Sequence, residues 1–367
     1  MSKPNVLILG GVGFIGRNLV QYLVEQQVCN KIRVVDKVLP PTAYLGAKHQ
    51  EAFNNPSVEF MQGNLTSPAS IAKVFALEGD KFNIVFNLAG ETKYGQTEAV
   101  YNEKVFDVSV KCATEAAKVG VDKFIEVSTA QVYESNKKPS KETDKTTSSK
   151  AWTLIAVHKL KGEEKLKEIA GLNLIIVRPS VVYGPGDILG ISPRIITGAV
   201  YQFIDEKMKF LWTGDLKYNT VHVSDVCKAL WHLAKVGKNG DLYNLSDKGD
   251  TDAEKISKIL EKIFHIKTSF VGSLLSNVAQ LNLQSICNEA NDKHLKPWSD
   301  LCKQKDIVNT PLTPYIDQEL LSNNHLSVDG SAIESTGFKY DHPELTEALV
   351  RDQIQYFIDQ KLFPALQ

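Results

Sequence analysis

The apolar residues in the first half of the chain alternate between two rhythms. Asn5–Leu9 is a short apolar run suited to a strand buried on both faces, and the mostly apolar runs at 32–35, 58–61, 84–88, 124–128 and 174–178 read as further strands. Between them lie stretches with helical spacing. In 14–26, for example, Ile15, Leu19, Tyr22 and Leu23 share one stripe. Strands that alternate with helices predict right-handed crossovers and a parallel sheet in an α/β fold. After Pro179 the rhythm breaks at the turn cluster Gly184-Pro185-Gly186-Asp187. Beyond it, helical pieces mix with short extended runs at 210–212 and 220–223, and 273–309 is helix-like but poorly patterned.

The strand-to-helix junction at the start of the chain sharpens this picture. Gly10-Gly11-Val12-Gly13-Phe14-Ile15-Gly16 directly follows the first strand and opens the first helix. That context separates a dinucleotide-binding turn from a chance cluster of glycines. Gly10 permits the tight turn, Gly13 lets the backbone approach a pyrophosphate, and Gly16 lets helix and strand pack closely. The amides that open the helix, at Phe14 and Ile15, are unpaired donors suited to an anion. Asp36 ends the second strand, 20 residues beyond Gly16. A carboxylate there accepts from ribose hydroxyls and repels a 2′-phosphate, which favours NAD over NADP. Lys37, next to it, pulls the other way. The expected architecture is therefore a doubly wound Rossmann sheet over 1–180, rejoined by later segments at about 210–245. A smaller α+β substrate-binding lobe would be built mostly from 181–367.

With 367 residues the chain is long enough for both parts. A formal net charge of −1 gives no electrostatic reason to expect nucleic acid or a membrane surface as partner. The Lys-rich stretch 137–150 reads as a solvated loop. The five cysteines are scattered without metal-ligand spacing, so no metal is expected, and reduced thiols suit a cytoplasmic setting. The start of the chain does not read as a signal peptide, and no apolar run reaches transmembrane length.

Further strings, in order, resemble the extended short-chain dehydrogenase/reductase superfamily, in particular its nucleotide-sugar epimerase and dehydratase branch. Gly63-Asn64-Leu65 resembles the turn that holds the adenine, with Asn64 where the superfamily usually has Asp. Leu88-Ala89-Gly90 resembles the strand end that lines the cofactor, and Ser128-Thr129 the active-site strand. Arg178-Pro179 opens a long family-like string that runs to Asp187, and Val221–Val226 and Gly337-Phe338 fit late landmarks. The resemblance implies a small-molecule substrate of the nucleotide-sugar kind and a homodimer through helices near 105–118 and 152–169. It also implies catalysis by a Tyr and by a Lys four residues later. That Lys binds the nicotinamide ribose and lowers the Tyr pKa.

Here the pattern departs. Lys159 fits the lysine, but the position four earlier is Ile155, and no Tyr lies between Tyr133 and Tyr183. The strings Tyr44…Lys48 and Tyr133…Lys137 sit in other contexts. Ser109 stands where the superfamily usually has an Asn of the proton relay. Thr129 is followed by Ala130 and Gln131, neither able to act as the acid of a sugar dehydration. General acid–base catalysis contributes roughly 10²–10⁴-fold, which Ile155 cannot supply. Thr129, Lys159 and Tyr94 are the catalytic candidates. Tyr94 lies in a loop after a sheet strand, where Lys93 is expected to depress its pKa. His158 and His222 read as packing residues. Two readings stay open: an NAD-linked epimerase or oxidoreductase with a relocated acid/base, and a catalytically silent NAD(H)-binding sensor or assembly subunit.

Overall fold

The computed structural model describes residues 3–272 and 282–366. Six strands of the first half form one sheet: β1 (Asn5–Leu9), β2 (Lys31–Asp36), β3 (Val58–Gln62), β4 (Ile84–Asn87), β5 (Lys123–Val127) and β6 (Leu174–Pro179). A seventh, β10 (Leu242–Leu245), joins from far along the chain. The order is β10-β6-β5-β4-β1-β2-β3, and every pairing is parallel. Sequence order reverses beside β1, whose neighbours are β2 and β4. That reversal opens a crevice at the carboxyl ends of the strands.

Alternation within each strand feeds two apolar layers. Val6 and Ile8 face the helices α1 (Phe14–Glu25) and α8 (Val223–Val236), packing with Leu19, Leu23, Val226 and Leu230. Leu7 and Leu9 face the opposite layer. There, Val74 of α3 (Pro68–Phe75), Cys112 of α5 (Val108–Val119) and Leu166 of α6 (Leu154–Leu166) close the core. Because both faces are covered, the strands carry no polar alternation. One short helix, α4 (Glu98–Tyr101), runs into α5 through a π-helical segment, Asn102–Asp107.

A second core joins α7 (Ser192–Phe203), α9 (Ala253–Phe264), α10 (Leu283–Gln304) and α11 (Glu347–Ile358) around Ile195, Leu260, Trp298 and Phe357. Two parallel strand pairs accompany it: β7 (Val181–Tyr183) with β9 (Thr220–His222), and β8 (Met208–Phe210) with β11 (Thr268–Phe270). The extended run expected at 210–212 lies earlier. The strand ends at Phe210, and Trp212 turns away with a φ of 67°. Within the helix-like stretch 273–309, the helix observed is Leu283–Gln304, while 273–281 lies outside the described residues. The chain returns to the sheet through α8 and β10. Among the described residues no helix is long and apolar enough to cross a membrane. All five cysteines are buried free thiols.

Candidate functional site

The glycine turn is built by sterics. Gly10 has a φ of 75°, and a Cβ there would stand 2.8 Å from the backbone of Ala89. At Gly16 a Cβ would stand 2.5 Å from Gly11 Cα and 2.6 Å from the Gly10 carbonyl oxygen. The Gly10 and Gly11 amides both donate to the Val35 carbonyl, at 2.8 and 3.2 Å, which anchors the turn to the end of β2. Gly13 caps α1 without any side-chain hydrogen bond. The first-turn amides of Phe14, Ile15 and Gly16 therefore meet no capping side chain, the condition under which a helix start receives phosphate.

Asp36 sits at the rim of this turn. Its carboxylate accepts from the Val12 amide at 3.1 Å and from the Val38 amide at 3.0 Å. Lys37 is exposed. The Asn64 side chain accepts from the Thr66 amide at 3.0 Å and shapes its own exposed turn, with Leu65 buried beneath. The Gly63 amide donates to the Asp36 carbonyl at 3.0 Å and brings that turn to the end of β2. Leu88 donates to the Leu9 carbonyl, Ala89 is buried against Gly10, and Gly90 is exposed. Pro179, at the end of β6, is paired with Leu245 of β10. The residues expected to line a cofactor thus gather along the carboxyl edge of the sheet.

Lys159, on α6, points to the same edge. Its ammonium donates to the Val127 carbonyl at 2.8 Å and to Glu126 Oε1 at 3.1 Å. A Cβ at Gly90 would stand 4.0 Å from Lys159 Nζ. Glu126 is not among the residues that the sequence singles out, although it is a charged residue flanked by apolar ones in the run 124–128. Ile155, in the first turn of α6, is half-buried. Thr153 caps that helix, accepting from the Ala156 amide at 3.2 Å and donating to Gln131 Oε1 at 2.9 Å.

Gln131 also links the other two candidates. Its amide nitrogen donates to the Tyr94 hydroxyl at 3.1 Å, and its backbone N–H to Thr129 Oγ1 at 3.2 Å. The expected help from Lys93 is not found. Lys93 is exposed, and burial pushes the Tyr94 phenol well above its usual value, only partly countered by the Gln131 hydrogen bond. Tyr101 holds this loop, donating to the Lys93 carbonyl at 2.8 Å. From the far end of the chain, Glu319 accepts from the Leu154 amide at 3.3 Å, and burial raises its pKa. Asp317 approaches Gly95 closely enough that a Cβ there would stand 2.5 Å from its carboxylate. Nothing in the local sequence around 317–319 signals this, because the approach spans the whole fold.

The other residues singled out make contacts within the fold. Ser128 donates to Glu163, which pairs with Arg178 through contacts of 2.5 to 3.2 Å; both partners are buried. Arg178 lies over the Tyr133 ring, whose hydroxyl donates to Asn244 Oδ1 at 2.8 Å. Lys137, four residues after Tyr133, pairs with Asp215 instead. His158 Nδ1 lies 2.9 Å from the Leu154 carbonyl oxygen, and His222 Nδ1 lies 2.7 Å from the Ser224 hydroxyl. Asp187 is fully enclosed and accepts from the amides of Leu189, Gly190, Ile191 and Ser192. This explains why the Gly184–Asp187 turn leads into α7.

A family model described as the NAD dependent epimerase/dehydratase family matches residues 6–246. The chain belongs to that family. Among its relatives, dTDP-D-glucose 4,6-dehydratase of Bos taurus is 29% identical over 270 residues, 70% of this chain and 71% of that protein. The UDP-N-acetyl-alpha-D-glucosaminuronate decarboxylase of Bacillus cytotoxicus is 25% identical over 308 residues, 79% of this chain and 89% of that protein. The fold is shared with UDP-glucuronic acid 4-epimerase from Bacillus cereus, solved with UDP-glucuronic acid and NAD. The TM-score is 0.70 at 18% identity, covering 98% of this chain and 100% of that one. Within the epimerase/dehydratase family frame, the segment holding Asp317 and Glu319 lies beyond the matched residues.

Proposed function

We propose that this protein binds NAD at the Gly10–Gly16 turn and acts on a nucleotide-sugar-like small molecule by hydride transfer. Bound NAD supplies the hydride acceptor. What carries the reading is the fit of the first turn of α1: an uncapped helix start, glycines at 10 and 16 that admit no side chain, and a carboxylate at Asp36 on the rim. These groups would hold the pyrophosphate and the adenosine ribose, and Lys159 the nicotinamide ribose. Thr129 would hydrogen-bond a substrate hydroxyl or carbonyl. Tyr94, reached through Gln131, is the phenol of the site. The Asp36 carboxylate favours NAD over NADP. The organisation into a nucleotide-binding part and a substrate lobe, a homodimer through α5 and α6, and a cytoplasmic setting belong to the same reading.

A second reading, a catalytically silent NAD(H)-binding module, is favoured by one observation. Ile155 removes the usual phenol, and Tyr94 is held in a form that resists ionisation. One experiment separates the two. Protein with NAD is mixed with a panel of UDP- and dTDP-linked sugars while reduced-nicotinamide absorbance and product are followed. Turnover abolished by Tyr94→Phe supports the enzyme with a relocated phenol. Absence of turnover across the panel, with NAD bound, supports the silent module.

A further inference from the structure

The carboxylate of Glu126 stands among apolar residues of strand β5. Its neighbours Phe124, Ile125 and Val127 are buried in the core, and Glu126 itself is 2% exposed. A lone carboxylate there would be strongly disfavoured. Three donors from three different elements converge on it instead. Asn87 of β4 donates to Oε2 at 2.5 Å, Ser109 of α5 to Oε1 at 2.9 Å, and Lys159 of α6 to Oε1 at 3.1 Å. Asn87 also donates to the Ser109 hydroxyl at 3.2 Å, so the cluster is closed on itself.

The consequence falls on Lys159. An ammonium carries three N–H donors. Two are committed, to Glu126 and to the Val127 carbonyl. Nζ also lies beside Gly90, the exposed residue after β4 that presents no side chain over it. The ligand crevice of an open parallel sheet lies at this end.

We propose that Glu126, braced by Asn87 and Ser109, is a positioning residue that holds Lys159 so that its remaining N–H meets the nicotinamide ribose of the cofactor. The inference rests on the dinucleotide reading above. With Ile155 on the same helix, Lys159 has no phenol at that position to activate. Its task is then to anchor, and Glu126 sets the anchor point.

The test compares two ligands that differ at this ribose. Calorimetric titrations of NAD and of ADP, which lacks the nicotinamide ribose, are run on the full-length protein, Glu126→Gln and Ser109→Ala. Glu126→Gln removes a charge-assisted bond and is expected to weaken NAD about tenfold, leaving ADP within about twofold of the parent. Ser109→Ala keeps the charge and removes one brace; it is expected to weaken NAD a few-fold, again with ADP unchanged. If Glu126→Gln does not fold, Ser109→Ala decides the matter. NAD and ADP weakened equally, or NAD affinity unchanged in both variants, would show a salt bridge that serves stability alone and overturn the proposal. A parent protein that binds NAD no more tightly than ADP would overturn it as well. A parent that binds neither ligand would remove the dinucleotide reading itself.

Discussion

A methyl group at residue 16 has no space to occupy. With the Gly11 Cα 2.5 Å and the Gly10 carbonyl oxygen 2.6 Å from where that carbon would be, backbone must move. Gly16→Ala is expected to lower stability by about 1–3 kcal/mol, the usual penalty of overpacking. It should also abolish dinucleotide binding, because the amides opening α1 shift with it. Thermal melts and calorimetry on one sample read both effects. At this scale the turn was legible from sequence because its sterics are local: each glycine answers to a neighbour a few residues away or to the adjoining strand. Ile155 was legible as a missing phenol, but what surrounds it was not. Glu126 reads as an oddity in an apolar strand until Asn87, Ser109 and Lys159 are brought around it from three other elements. Tyr94 was found by its place after β4. Burial reversed the expected direction of its pKa, and the Gln131 hydrogen bond only partly counters it.

At the scale of elements, α6 shows how a helix start organises a site. Thr153 caps it and, through the same hydroxyl, fixes Gln131, which in turn contacts Tyr94 and Thr129. Thr153→Ala is expected to cost about 1 kcal/mol of stability, the usual loss for an N-cap. It also frees Gln131, so any Tyr94-dependent activity should fall more than stability does, whereas Thr153→Ser should restore both. Denaturant titration alongside the nucleotide-sugar assay checks this. The six strands of the first half were legible because most of their positions are apolar, in short runs bounded by helical spacing. Of the short strands, β9 was legible as the extended run at 220–223 and β8 only at its end, while β7 and β11 were not, since three residues carry no period. The π-helical turn before α5 was not foreseen either. It presents the Lys104 carbonyl to the Glu91 amide, beside the Gly90 end of β4.

For the molecule as a whole, acid is the expected threat. Burial holds His49 and His222 down to about 3 and His294 down to about 4, against 6.5 for a free imidazole. Arg17, His342 and Lys293 respectively add to the effect. Each ring is neutral in the folded protein, so its contribution is fully present above pH 6.5 and is lost as the pH falls below that value. Asp247 works in the opposite sense. Burial lifts it from 3.8 to about 6, so its contribution is complete below pH 3.8 and disappears as the pH rises through 6. Melting temperature is therefore expected to drop from pH 7 to pH 4, and to drop more steeply in Asp247→Asn, which lacks the opposing gain.

The seventh strand has a consequence for synthesis. About sixty residues separate the end of β6 from the start of β10. A nascent chain emerging from the ribosome thus completes six strands and must hold an open hydrogen-bonding flank on β6 while α7 and α8 are still being made. The sheet cannot finish folding first and wait for the second core, because α7 lies in the chain between β6 and β10. Chaperone demand should accordingly peak in that interval of translation, at the open edge of the sheet rather than at the ligand crevice.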